Sequence, residues 1–142
     1  MQDLIILIIT ANTALSAAAA RAFAPARIRL AVLAACQQFP AQTEPEFILV
    51  LLDMDSLGPD KLKELKTFLA RTRGLPVIAM FDAARTANRE IVEILSAGAD
   101  DAMPNAAEMP LLVAKTKSHL RRLAAYSIAP DRDRDLNRGS GI

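Results

Sequence analysis

Asp53 is the residue of this sequence whose position most strongly indicates chemistry. It follows an apolar run, FILVLL at positions 47–52, that is typical of a strand buried on both faces in the middle of a parallel sheet. A carboxylate at the end of such a strand lies at the carboxyl edge of the sheet, where open α/β sheets bind their ligands. There it can act as a nucleophile or hold a metal ion, provided that suitable partners surround it.

The elements that must position Asp53 alternate along the chain. Apolar runs predict five strands, at 4–9, 28–33, 47–52, 76–81 and 100–103. Helical periodicity predicts helices at 14–23, 60–72, 87–97 and 110–126, with Asn12 or Thr13 as the first N-cap and at most a short helix within 34–46. This alternation predicts an α/β fold, a doubly wound five-stranded parallel sheet with helices on both faces.

Composition and charge indicate one globular domain. The chain has 142 residues, a formal net charge of +1 and 52% hydrophobic residues, which gives no indication of a nucleic-acid partner. Residues 1–126 form the predicted domain, and the alternating charges of 127–142 predict a linker or tail. The lone Cys36, expected to be a small packed residue, fits a reducing cytoplasm. The uncharged segment 4–20 is interrupted by polar residues, so we expect no membrane anchor.

Three segments carry a resemblance to a known family. They are LLDM at 51–54 with Gly58, Asp60 and Leu62, then PVI at 76–78, and LSAGADD at 95–101. In this order they resemble the receiver domain of two-component response regulators, over roughly residues 3–125. The resemblance implies a CheY-like, flavodoxin-like sheet with strand order 2-1-3-4-5. It also implies that Asp53 is the candidate phosphoacceptor.

Most other positions that the resemblance assigns to phosphoryl transfer carry different residues. Thr10-Ala11-Asn12 replaces the acidic pair that holds Mg²⁺, and Phe81 replaces a hydroxyl residue. Asn105 replaces the lysine, and Ala102 replaces the aromatic switch residue. Asp53 and Asp55 are therefore only weak metal candidates, so we predict no metal site and no cofactor, with Mg²⁺ required only if the acid site works. No residue is predicted to be catalytic, and the domain is not expected to be an enzyme.

Two functions remain as predictions. The first is a degenerate receiver, or pseudo-receiver, that acts as a phosphorylation-independent interaction or dimerisation module within a larger regulator. The alternative is a phosphoryl-accepting receiver that uses Asp53 with an atypical acid site, rebuilt with Asp55 and Asp82. If Asp53 does not react, we expect it to be a partly exposed carboxylate that caps the following loop or the helix that begins near Pro59. A third hypothesis is an unrelated doubly wound domain that binds a nucleotide or a small ligand, although positions 10–16 contain no glycine.

The last helix carries a basic cluster that is the candidate interaction surface. We expect all of its side chains, including the only histidine, to lie at the surface. The expected partner is a protein: a histidine kinase, an output domain, or a second copy in a homodimer. We expect no nucleic acid and no membrane to bind this domain. The candidate residues are Lys115, Lys117, His119, Arg121 and Arg122.

Overall fold

The computed structural model describes residues 4–40, 47–72, 74–106 and 108–123, which form an α/β domain around one parallel sheet. Its strands are β1 (Leu4–Ile9), β2 (Ile28–Leu33), β3 (Val50–Asp53), β4 (Val77–Phe81) and β5 (Asp101–Pro104), in the order β2-β1-β3-β4-β5. The helices are α1 (Thr13–Phe23), α2 (Lys61–Thr72), α3 (Asn88–Ala97) and α4, residues 109–123. The predicted fold class and strand order are confirmed.

The sheet is covered on both faces, as its apolar strands require. Leu7 and Ile9 of β1 pack on one side with residues of α2 and α3. Ile6 and Ile8 pack on the other side with residues of α1 and α4. All four side chains have no exposed surface, because successive residues of a strand point to opposite faces and each face is covered by helices.

Strand β3 is shorter at its start than predicted and includes Asp53. Ile48 and Leu49 still bond to β1, through Ile48 N–H to Ile5 O and Leu7 N–H to Leu49 O, both 3.0 Å. On the other side the register with β4 starts only at Val50. Full pairing on both sides therefore begins at Val50, and Asp53 lies inside the sheet rather than beyond it.

The connection from β2 to β3 contains a single short 3-10 turn, Cys36–Gln38, among its described residues. Arg71 of α2 holds this turn by donating to the Phe39 carbonyl at 2.6 Å. Phe39 packs edge-on against Phe68, with ring centroids 5.3 Å apart. The Cys36 side chain is buried, as expected of a packed residue. Burial first, and then the Glu64 charge, raise the pKa of its thiol to about 11, against the opposing charge of Arg71.

The segment between α3 and β5 shows why glycine and acids stand there. Gly98 ends α3 with φ of 122°, a backbone conformation that disfavours any side chain. Asp100 then accepts the Val77 N–H through Oδ2 at 2.8 Å and so caps the start of β4. Asp101 opens β5 and points to α4. Both acids thus have the structural roles expected of them.

Within the described ranges, no helix is long and apolar enough to cross a membrane. The predicted linker or tail, residues 127–142, lies outside the described residues, as does the end of the predicted last helix, 124–126.

Candidate functional site at the carboxyl edge of the sheet

Asp53, the candidate phosphoacceptor, is buried and hydrogen-bonded through both carboxylate oxygens. Its exposed fraction is 2%, so the predicted partly exposed carboxylate is wrong. Thr10 Oγ1 donates to Oδ2 at 2.7 Å, and Ser56 Oγ donates to the same oxygen at 3.1 Å. The N–H of Asp55 donates to Oδ1 at 3.1 Å. Asp53 does cap the loop that follows it, as predicted, although it does so from inside the protein.

Thr10 links this carboxylate to the start of α1. It directly follows β1, the neighbour of β3, and its side chain is buried. Its oxygen donates to Asp53 and accepts the Asn12 N–H at 3.0 Å. Asn12 in turn caps α1, because its Oδ1 accepts the N–H groups of Ala14 and Leu15. A continuous chain of hydrogen bonds therefore runs from Asp53 to the N-terminus of α1.

Ser56 closes the same group from the other side. Its oxygen accepts the Ala11 N–H at 2.8 Å while it donates to Asp53. Thr10, Ser56 and Asp53 together are called the hydroxyl cluster below. Sequence reasoning missed Ser56 and treated Thr10 only as the place of a missing acid. The available signal was that residues 10 and 53 end neighbouring strands in the order 2-1-3-4-5.

Asp55 lies in a second group at this edge, with charged partners. Lys61 Nζ is 3.2 Å from its Oδ1, and Arg85 Nη2 is 3.7 Å from its Oδ2. Asn105 Nδ2 donates to the same Oδ2 at 2.9 Å. The Asp55 side chain is 21% exposed, and a cavity of about 90 Å³ opens beside it between α2 and α3. Asp55, Lys61, Arg85 and Asn105 are called the ion cluster below.

Asp82 lies at the rim of the ion cluster. Arg85 Nε donates to its Oδ2 at 2.8 Å, and the Ala84 N–H donates to its Oδ1 at 3.0 Å. The hydrogen bond from Arg85, followed by that from Ala84, lowers the pKa of the Asp82 carboxyl. Asp82 is thus an ionised loop acid that holds Arg85, and among the described residues no hydrogen bond or ion pair joins it to Asp53.

The donor set at this edge does not fit a Mg²⁺ site. This cation takes carboxylate and water oxygens in nearly octahedral geometry. Both oxygens of Asp53 accept protein hydrogen bonds, and both oxygens of Asp55 face cationic or amide donors. Nowhere in the described ranges do three His, Cys, Asp or Glu side chains come together in a group that could bind a metal ion.

The basic cluster of α4 divides into a part that contacts Asp101 and an exposed part. Lys115 Nζ lies 3.1 and 3.3 Å from the oxygens of Asp101, and His119 Nε2 lies 3.2 Å from Asp101 Oδ2. His119 is 8% exposed, so its predicted surface position is wrong. It follows Leu112 by seven residues and therefore lies on the inward stripe of the helix. Lys117, Arg121 and Arg122 are exposed, as predicted.

Asp101 remains ionised between these two partners. Burial alone raises the pKa of its carboxyl, but hydrogen bonds from His119, Lys115 and the Ala102 N–H together lower it below its usual value. The ionised form is therefore favoured in the folded protein. Asp101 joins β5 to the middle of α4.

Helix α3 carries an exposed apolar surface. Val92 is 61% exposed and Leu95 is 44% exposed. Only Ile94 is buried, because the helix packs on the sheet through a narrow stripe. Leu111, on α4, is also exposed. Exposed apolar side chains grouped on one element are typical of contact surfaces.

Comparison with known proteins identifies the fold. The described structure is similar to a two-component response regulator from Clostridium difficile, with a TM-score of 0.73 and 21% identity over 84% of this chain and 98% of that one. It is also similar to a CheY-like response regulator receiver domain protein from Methanospirillum hungatei JF-1, with a TM-score of 0.72 and 21% identity over 85% and 96%.

A longer protein contains the same fold. The response regulator DrrB of Thermotoga maritima, an OmpR/PhoB homolog, matches with a TM-score of 0.69 and 18% identity over 85% of this chain but only 54% of its own. No protein-family model and no curated protein matches the sequence. At these identities the likeness concerns the fold alone. The chain thus has the five-stranded, CheY-like fold of response-regulator receiver domains.

Proposed function

We propose that this chain is a receiver-type signalling domain that works without phosphorylation, as a pseudo-receiver that binds other proteins. The fold shared with response regulators supports the signalling part of the proposal. The hydrogen bonds that both oxygens of Asp53 accept from the protein support the phosphorylation-independent part. We expect the domain to act by binding rather than by catalysis, and in the cytoplasm, where the buried thiol of Cys36 stays reduced.

The hydrogen bonding of Asp53 is the observation that carries this proposal. A carboxylate nucleophile must present a free oxygen to the phosphorus atom, and the transferred group needs cations nearby to offset its charge. Here each Asp53 oxygen already accepts at least one protein donor, and the three donors, two hydroxyls and a backbone N–H, are neutral. The cations of this edge, Lys61 and Arg85, contact Asp55 instead.

The surface proposed for partner binding is the β5 edge of the sheet together with α3, on one face, and α4, on the other. It combines the exposed apolar side chains Val92 and Leu95 with the exposed cations Lys117, Arg121 and Arg122. Apolar contacts supply affinity, and surrounding charges select the partner and accelerate association. We propose a protein partner: a histidine kinase, an output domain of a longer regulator, or a second copy of this chain.

Treatment with acetyl phosphate and Mg²⁺ tests the proposal directly. Intact-mass spectrometry of the treated wild-type protein is expected to show no added phosphoryl group, and an unrelated active receiver serves as the positive control. A phosphoryl adduct that disappears in Asp53→Asn would overturn the proposal. It would establish the second candidate, a phosphoryl-accepting receiver.

That second candidate has one observation in its favour. Lys61 and Arg85 place two cations close to residue 55, only two positions from the phosphoacceptor candidate. A rearranged site could use them to offset phosphoryl charge, as cations do in other phosphoryl-transfer sites. In that case Asp55→Asn, which frees both cations, should increase the phosphoryl adduct on Asp53. Under the first candidate the same variant gains no mass.

Substitution of an exposed valine tests the proposed surface. Val92→Glu is expected to weaken self-association, measured by sedimentation equilibrium, or binding to a histidine kinase or output domain supplied as a purified protein. Val32→Glu is the matched control, because Val32 is also about half-exposed but lies on edge strand β2. Equal effects of the two variants would remove α3 from the proposed surface.

A further inference from the structure

We propose that Asp55 is a positioning residue whose carboxylate permanently ties together the segments that lead into α2, α3 and α4. This inference deepens the proposed function and depends on it, since it explains how an unphosphorylated domain holds one arrangement of its binding surface. An anion at this position fixes the loops from within the chain. No added group is then needed to order them.

The three partners of Asp55 come from three separate parts of the chain. Lys61 is the first residue of α2. Arg85 lies in the segment between β4 and α3, and Asn105 directly follows β5. The single Asp55 side chain therefore contacts the entry to α2, the entry to α3 and the start of the segment before α4.

Asp55 is itself held by the hydroxyl cluster. Its N–H donates to Asp53 Oδ1, so the buried carboxylate fixes the backbone from which the Asp55 side chain projects. Asp53 thus has a structural role that requires no reaction of its carboxylate. It anchors Asp55, and Asp55 then reaches the neighbouring segments.

The charge balance makes this contact specific for an anion at residue 55. Arg85 divides its guanidinium between two carboxylates, with Nε on Asp82 and Nη2 on Asp55. Asp82 belongs to the same segment as Arg85, so this pair alone links nothing distant. The Asp55 contact joins that segment to α2 and to Asn105. A phosphoryl group arriving at this edge would have to compete with Asp55 for both cations.

The expected consequence lies in the proposed binding surface. The segment containing Arg85 leads directly into α3, which carries Val92 and Leu95. The segment beginning at Asn105 leads into α4, and the Asn105 N–H also bonds to Phe81 O at 2.7 Å. Fixing these two entries fixes the N-terminal ends of both helices that form the surface.

Residue-resolved hydrogen exchange on the full chain tests this inference. Two amides are suitable reporters, because each has a backbone acceptor: Arg85 N–H on Asp82 O at 3.1 Å, and Asn105 N–H on Phe81 O. In Asp55→Ala both are expected to exchange roughly 10-fold faster, since charge-assisted contacts to two segments are lost. Asp55→Asn keeps the shape without the charge and is expected to give roughly a 3-fold increase.

Asp82→Asn is the matched control, because it weakens the other ion pair of Arg85 and leaves Asp55 intact. It is expected to affect the Arg85 amide but not the Asn105 amide. A change of salt gives a second readout: 1 M NaCl, at which the Debye length is about 3 Å, should accelerate exchange of the Asn105 amide in wild type and not in Asp55→Asn.

Equal exchange at Asn105 in wild type, Asp55→Ala and Asp55→Asn would overturn the inference. If Asp55→Ala does not fold, Asp55→Asn and the salt series decide the question in the same way. These measurements use the free, untreated protein. A phosphoryl adduct would therefore refute the proposed function while leaving this result standing, and unchanged exchange would refute only the role of Asp55.

Discussion

The hydroxyl cluster and the ion cluster meet at one sheet edge, yet they treat their carboxylates in opposite ways. Asp53 is almost completely buried, and its partners are two hydroxyls and a backbone amide. Asp55 is partly exposed beside a cavity, and its partners are two cations and a side-chain amide. The acid expected to be reactive thus has only neutral partners, and its neighbour has the charges.

This contrast shows which property of each acid the fold uses. A buried carboxylate is costly unless hydrogen bonds satisfy its oxygens, and hydroxyl donors do so without adding a second buried charge. An accessible carboxylate can attract long cationic side chains from several segments, although each exposed pair contributes little. Asp53 therefore serves stability, whereas Asp55 serves the arrangement of loops.

The largest expected effect comes from removing the buried acceptor. Asp53→Ala leaves the hydroxyls of Thr10 and Ser56 and the N–H of Asp55 without their partner, so we expect a loss of about 2–3 kcal/mol in the free energy of unfolding. Asp53→Asn keeps an acceptor and is expected to stay within about 1 kcal/mol of wild type. Urea unfolding measures both. A free energy of unfolding for Asp53→Ala equal to that of wild type would contradict the stabilising role of Asp53.

The next effect isolates one hydroxyl. Thr10→Val removes the 2.7 Å donor to Asp53 and the acceptor for the Asn12 N–H, and we expect it to cost about 1–2 kcal/mol. Thr116→Val is the matched control: Thr116 is equally buried, but its hydroxyl has no hydrogen-bond partner in the described structure. That substitution is expected to be neutral or stabilising. If the two variants unfold alike, the hydroxyl cluster contributes nothing specific.

A third carboxylate, Asp101, is expected to contribute a stability that depends on pH. Because its folded pKa lies below the ordinary value of 3.8, its stabilising contribution is complete above that pH and is lost as the pH falls through the folded pKa. Asp101→Asn is expected to cost about 1 kcal/mol at pH 7 and nothing at the acid end. Thermal unfolding of both proteins from pH 7 to pH 2 measures this. A constant difference over that range would contradict it.

The smallest expected effect is a loss of stability whose salt dependence distinguishes the ion cluster from the hydroxyl cluster. Lys61→Met is expected to cost only about 0.5 kcal/mol, because the pair with Asp55 is exposed. This cost should vanish at 1 M NaCl, where the charges are screened. The cost of Thr10→Val should remain at that salt concentration, since its partner is a buried hydrogen bond. Urea unfolding of both variants at two salt concentrations compares these costs. A salt-independent cost for Lys61→Met would contradict the assignment of Asp55 to an exposed ion pair.

The fold could be predicted because it depends on strong local patterns. The runs at 4–9 and 28–33 became β1 and β2 with the predicted bounds, and Asn12 caps α1 as expected. The start of β3 could not be predicted, because it depends on where the neighbouring β4 begins. The exposure of Leu95 could not be predicted for a similar reason: periodicity does not tell how wide a stripe of the helix the sheet covers.

The site could be predicted only in part. Asp53 ends β3 at the carboxyl edge of the sheet, as the sequence indicated. Its burial was not foreseen, because the Thr10 contact joins residues 43 positions apart and depends on side-chain direction. His119 was placed at the surface by residue type, although its helical phase with Leu112 indicated the interior. Polar residues on an inward stripe need a partner, and Asp101 supplies it.

The buried thiol of Cys36 has a consequence for measuring motion in this protein. With a pKa of about 11 instead of 9.0, its reactive thiolate is roughly 100-fold less abundant near neutral pH than that of a free cysteine, and its side chain is shielded as well. Arg71 and Phe39 hold the surrounding turn against α2. The rate at which the chain's lone cysteine is alkylated therefore reports how often the β2–β3 connection opens. The measurement needs no engineered label.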